Sequence, residues 1–100
     1  MVHRLMWMKA RLLLKEQHVV RDGAFAELVV WQLPKGGVGT KHGFKYRLAF
    51  VVDGACVLRY DNEHGKGDHR HIGAVESPYH FTSPEQLIAD FWRDIDDWSL

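Results

Sequence analysis

Apolar and polar positions follow two different periods along this chain, and the change of period divides it. From residue 44 to 52, Phe44, Tyr46, Leu48, Phe50 and Val52 alternate with Lys45, Arg47, Ala49 and Val51, the pattern of a strand with one buried face. Residues 24 to 31 (Ala-Phe-Ala-Glu-Leu-Val-Val-Trp) are rich in β-branched and aromatic side chains, and an apolar run from about Met8 to Val20 precedes them. Asp22-Gly23 and Asp53-Gly54 each stand between two such runs, the signal of a two-residue type I′ hairpin turn with positive φ at both central positions. Counting outward from the first turn pairs Val20 with Phe25, His18 with Glu27 and Leu14 with Trp31. Counting from the second pairs Arg47 with Tyr60 and Tyr46 with Asp61. The Leu12–Leu14 triplet also allows a helix from Ala10 to Gln17, but the Asp-Gly turn favours a strand.

The period lengthens near the C-terminus. Leu87, Ile88, Phe91, Trp92, Ile95 and Trp98 make one apolar stripe at helical spacing, with Glu85, Asp90, Asp94, Asp96 and Asp97 largely outside it. Ser83 is a good N-cap, Pro84 suits the first helical position, and Gln86 stands where a capping box wants Glu or Gln. Between the hairpins, residues 34–43 (Pro-Lys-Gly-Gly-Val-Gly-Thr-Lys-His-Gly) lack the Gly-Lys-Ser/Thr ending of a phosphate loop and read as a mildly basic connection. The expected fold class is therefore α+β: an antiparallel four- to five-stranded meander sheet over residues 9–72, with His69 to Ile72 as the short fifth strand. A C-terminal α-helix over residues 83–98 packs on one of its faces. One domain spans 1–100. Residues 1–7 read as an N-terminal extension, and Met8 is an alternative start.

Composition narrows the class. A chain of 100 residues, 46% hydrophobic and 26% charged, suits one soluble core. No segment approaches the ~18–20 apolar residues of a membrane helix, and no signal peptide is evident. Cys56 is the single cysteine, which excludes an internal disulfide and fits a reducing cytoplasm; on an inner strand it reads as packing. The net charge is zero, yet residues 1–50 hold nine Lys/Arg against three Asp/Glu, and residues 51–100 hold four against ten. Such polarity fits nucleic acid on one side and a basic partner on the other, or simple attraction between the halves. Four tryptophans point to a homodimer or partner interface.

Residues 60–72 (Tyr-Asp-Asn-Glu-His-Gly-Lys-Gly-Asp-His-Arg-His-Ile) carry three of the seven histidines within eight positions. Three chemical readings compete there. His69, His71 and His64 can act as acid and base on a phosphodiester, because an imidazole titrates near working pH. Asp61 would orient an imidazole, and Arg70 and Lys66 would bind phosphate. In an extended segment Arg70 points away from His69 and His71, which brings in Arg59, with Arg47 and Tyr60 on the adjoining sheet. A weaker reading is a metal site at His64, His69 and His71 with Asp61, Glu63 or Asp68 as carboxylate ligand; otherwise no cofactor is expected. The bland reading is a polar loop in which Asp61, Asn62 and Asp68 cap turns and Gly65 and Gly67 supply backbone freedom. His80, in the turn before the helix, also stands close enough in sequence to approach the site.

The motif of residues 60–71, the two Asp-Gly hairpins before it and residues 79–91 (Tyr-His-Phe-Thr-Ser-Pro-Glu-Gln-Leu-Ile-Ala-Asp-Phe) together resemble the TumE family of toxin–antitoxin proteins. Asp61-Asn62 and His69-Arg70-His71 match the family pattern, and the likeness runs from about residue 8 to the end. It implies a bacterial toxin paired with a helix-turn-helix antitoxin, and it implies no catalytic set. The residues thus point to a toxin acting on RNA as a small ribonuclease, with a non-catalytic protein-interaction module as the alternative.

Overall fold

The computed structural model describes residues 10–34, 42–63 and 67–98. Its strands are β1 (Arg11–Arg21), β2 (Ala24–Gln32), β3 (Phe44–Val52), β4 (Ala55–Glu63), β5 (Gly67–Ile72) and β6 (Val75–Pro78), followed by helix α1 (Pro84–Trp98). All six strands join one antiparallel meander in sequence order, so the sheet is larger than the expected four or five strands. Residues 10–17 are strand throughout, which removes the helical reading of the leucine triplet. β4 runs two residues past Asp61, and the histidine-bearing segment returns beside it as β5, so its described part is a hairpin arm rather than a loop. β6 follows a turn at Gly73-Ala74, where Gly73 has φ 58°, and it ends at Pro78, which cannot donate to a ladder.

Each Asp-Gly hairpin differs in register from the simple count. Val57 is an extra residue in β4, so Arg47 faces Asp61 and Leu48 faces Tyr60, one position from the expected pairs. Val20 is extra in β1 and places His18 opposite Ala26, not Glu27, and Leu14 opposite Val30, not Trp31; a second bulge at Leu13 sets Leu12 opposite Trp31. His18 pairs with Glu16 on its own strand, at 2.7 Å, and meets the Trp92 ring edge-on. Only the second turn has positive φ at both positions, Asp53 (49°) and Gly54 (82°). At the first turn Gly23 alone does (75°), and a Cβ there would lie 2.6 Å from the Asp53 carboxylate.

One face of the sheet is covered. Ala26, Leu28, Val30, Leu48, Phe50, Leu58 and Tyr60 meet Leu87, Phe91 and Ile95 of α1, which lies over β3 and β4. Each large side chain so buried contributes about 1.5–3 kcal/mol before ordering entropy is subtracted. Ser83 Oγ accepts from the Gln86 amide at 3.0 Å, as an N-cap does. The Gln86 side chain reaches Asp90 at 2.8 Å rather than closing a capping box. Asp94 is buried at 8% exposure, contrary to its expected solvent placement, because residues 87, 91, 94 and 95 share the inward side of the helix. Cys56 is exposed beside the second turn rather than packed.

Candidate functional site

Alternation along β4 and β5 sends neighbouring residues to opposite faces. Tyr60, Asn62, Asp68 and Arg70 lie on the side that α1 covers, with Leu48 and Leu58. Arg59, Asp61, His69 and His71 lie on the uncovered face with Lys45, Arg47 and Ala49. The chemically suggestive stretch is thus two half-sets with different surroundings.

On the uncovered face, cross-strand pairing sets Arg59 opposite His71 and Asp61 opposite His69. Arg59 Nε lies 3.0 Å from Asp61 Oδ2, and Arg59 Nη2 lies 3.1 Å from His71 Nε2. A guanidinium can only donate, so His71 Nε2 accepts, and the proton of the neutral ring sits on Nδ1. That nitrogen faces Glu76 Oε2 at 3.5 Å, while Glu76 Oε1 lies 3.2 Å from His69 Nδ1. One carboxylate therefore bridges two imidazoles, with a carboxylate–guanidinium pair on the far side of His71. Asp61 is 3.8 Å from His71 Nε2, so its closer partner is Arg59. Glu76 carries no strand signal of its own, because β6 is four residues long and ends in proline. Counting outward from Gly73-Ala74 would have set it opposite His71, where it stands.

Beside this cluster, Val29, Trp31, Lys45, Arg47, Arg59 and Asp61 line a groove of about 380 Å³ that is open to solvent. Lys45 also donates to the Asn62 carbonyl. Among the described residues no group of three or more His, Cys, Asp or Glu is arranged to hold a metal ion. His64, which the metal reading requires, lies outside them, as do Lys66 and the Glu63 side chain.

The family model described as "Toxin TumE" matches residues 9–99. The chain belongs to the TumE toxin family. No curated protein and no solved structure matches it. Membership in a toxin family gives the chain a toxin role and points to an antitoxin partner. No helix among the described residues of this TumE chain is long and apolar enough to cross a membrane.

In this TumE toxin the covered half-set is engaged in packing. Asp94 Oδ2 accepts from the Tyr60 hydroxyl at 2.5 Å and from Arg70 Nε at 2.9 Å, and Oδ1 accepts from Arg70 Nη2 at 2.9 Å. Asp68 Oδ2 accepts from the Tyr46 hydroxyl at 2.5 Å and from His42 Nε2 at 2.8 Å. His42 Nδ1 accepts from the Phe44 amide, and its ring stacks on Phe81 at 3.8 Å, so this histidine ties the connection before β3 to the sheet. Asn62 Oδ1 accepts from the Tyr46 amide, and its Nδ2 donates to the Phe44 carbonyl. Tyr79 donates to Asp90, which also accepts from Gln86 and Arg93. Burial pushes the Tyr46, Tyr60 and Tyr79 phenols far above their ordinary range, reinforced by the carboxylates they donate to. Burial would raise Asp90, but hydrogen bonds from Tyr79 and Gln86 and the Arg93 and Arg70 charges leave it lowered.

Of the residues singled out from the sequence, the fold brings together His69, His71, Asp61, Arg59 and Arg47 on one face. It sets Arg70 and Tyr60 on the other, under α1. His80 is exposed between β6 and α1.

Proposed function

We propose that this TumE toxin is a small ribonuclease that works by histidine acid/base chemistry on the uncovered sheet face. The observation that supports it is the Glu76 bridge between His69 and His71, with Arg59 against the second ring. His71 Nε2 carries a lone pair at the rim of a cationic groove. When a substrate phosphate draws Arg59 away, that lone pair takes the proton of a ribose 2′-hydroxyl. The 2′-oxygen attacks phosphorus as the P–O5′ bond breaks. Protonated His69 gives its proton to the departing 5′-oxygen, leaving a 2′,3′-cyclic phosphate and a 5′-hydroxyl. Arg59 and Arg47 balance the charge that grows on the phosphoryl oxygens. RNA is the substrate because this route uses the 2′-hydroxyl as nucleophile. A helix-turn-helix antitoxin, bound in the bacterial cytoplasm, holds the toxin inactive. His64 and Lys66 stand between β4 and β5 in sequence, as further candidates for proton transfer and phosphate binding.

Induced expression without the antitoxin is expected to arrest growth, and the purified chain to leave cyclic-phosphate ends on RNA. His69→Ala and His71→Ala each lower cleavage by roughly 10²–10⁴-fold. A folded double variant that still arrests growth overturns the assignment. The second reading, a non-catalytic interaction module, draws on Leu12, Leu13 and Val19, exposed on the edge strand β1, a surface that a partner strand pairs with. Arrest without RNA cleavage favours it.

A further inference from the structure

We propose that the groove beside the histidines is a subsite for one unpaired nucleotide of single-stranded RNA, with Trp31 as the surface on which its base stacks. The inference rests on the ribonuclease reading and names what flanks the scissile phosphate. Trp31 and Val29 come from β2, Lys45 and Arg47 from β3, and Arg59 and Asp61 from β4, all directed to the uncovered face by strand alternation. The apolar side is therefore a tryptophan and a valine on β2, Lys45 and Arg47 stand directly across from them on β3, and Arg59 lies beyond on β4. Among the described residues, the one carboxylate lining the groove, Asp61, is held by Arg59. An aromatic face bordered by cations is the combination that holds single-stranded nucleic acid, the ring meeting the base and the cations meeting the backbone.

Size and place agree with this. About 380 Å³ lies at the lower end of the ~300–1,000 Å³ of small-ligand sites, enough for one nucleotide and too little for a duplex. Arg59 and Asp61 line the groove and also contact His71, so the groove meets the reacting centre at that end. Trp31 on β2 stands three strand-to-strand steps from His71 on β5, ~14 Å at ~4.8 Å per step, which sets its base a nucleotide or two from the scissile phosphate. A base can stack on the ring only if it is out of its own helix, which selects single strands.

The test uses the full chain and a 2′-O-methyl oligonucleotide, which lacks the nucleophile and is not cleaved, followed by fluorescence anisotropy. Trp31→Leu, which keeps an apolar side chain in β2 but removes the ring, is expected to weaken binding roughly 5- to 150-fold. Trp31→Phe recovers most of the loss, and Val75→Ala, at the far edge of the sheet, leaves the affinity unchanged. Arg47→Gln lowers the salt dependence of binding by about 0.7 in log–log slope. A duplex of the same sequence binds no better than the single strand does to the Trp31→Leu chain. Equal affinity for Trp31→Leu and the unaltered chain, equal affinity for duplex and single strand, or no binding at all overturns the subsite. Trp31-dependent binding by a chain that leaves 2′-hydroxyl RNA intact sinks the ribonuclease reading and retains the subsite.

Discussion

Asp94→Ala is expected to destabilise the fold by about 2–5 kcal/mol while sparing the uncovered face. The carboxylate accepts three hydrogen bonds, from the Tyr60 hydroxyl and from two nitrogens of Arg70. Tyr60 is 1% exposed, so its hydroxyl is left without an acceptor, at about 1–3 kcal/mol. Removing one partner of a buried ion pair costs about 3–5 kcal/mol when the survivor stays dry. The Arg70 side chain is 35% exposed and can rehydrate, so ~1–2 kcal/mol is the appropriate share. For a domain of this size the sum corresponds to a fall in Tm of roughly 8–40 °C. Urea unfolding followed by circular dichroism measures it, with Tyr60→Phe as the companion variant. Tyr60→Phe/Asp94→Ala should cost less than the sum of the single changes, because no orphaned hydroxyl remains. A loss below about 1 kcal/mol for Asp94→Ala at unchanged m-value, or strict additivity in the cycle, would refute the claim that this network fastens helix to sheet.

Two other outcomes follow from particular contacts. The chain's three tyrosines are Tyr46, Tyr60 and Tyr79, and all have phenols raised above the ordinary 10.0. A raised pKa gives stability that is present below pH 10 and lost as pH climbs beyond it; phenolate absorbance should therefore stay flat past pH 10 and then appear for all three together as the fold is lost, and one tyrosine titrating alone near 10 contradicts this. Glu76→Gln keeps the side-chain shape but not the charge that spans His69 and His71; RNA cleavage should drop roughly 10- to 100-fold at constant unfolding midpoint, less than the ~10⁴ of a buried triad carboxylate because Glu76 is 55% exposed, and unchanged cleavage removes it from the site.

Much of the scaffold is legible in local signals. Strict alternation from Phe44 to Val52 assigns both faces of β3, and the Ser83-Pro84 cap with its apolar stripe places α1. What escapes is set by distant partners. Asp94 scores as a solvent residue on any apolar scale, and only Tyr60 and Arg70, 34 and 24 positions away, make its burial tolerable. His42 reads as loop charge until Asp68 and Phe81 are found against it. β6 is four residues long, ends in proline and follows a turn without an Asp-Gly pair, so Glu76 carries no strand signal. The histidine stretch itself is conspicuous by composition. Its division between two faces depends on register, which composition does not contain.

The register, in turn, hangs on one residue. With ideal pairing outward from Asp53-Gly54, Tyr60 would share a face with Arg47, and Asp61 would sit beside Tyr46 under the helix. Val57 adds one position to β4 after Cys56, and every side chain beyond it changes face relative to that count. Its carbonyl accepts from the Gly73 amide at 2.9 Å, so the turn that begins β6 is fastened to the bulge. The same irregularity thus turns Tyr60 inward to Asp94, turns Arg59 and Asp61 outward beside Arg47, and anchors the turn leading to Glu76. In a regular hairpin, Arg59 and Asp61 would both turn into the apolar layer beneath the helix, and Asp94 would lose its phenol. A bulge next to a functional face re-aims side chains at the expense of ladder hydrogen bonds. Here that one extra residue separates the groups that hold α1 on the sheet from those available for chemistry.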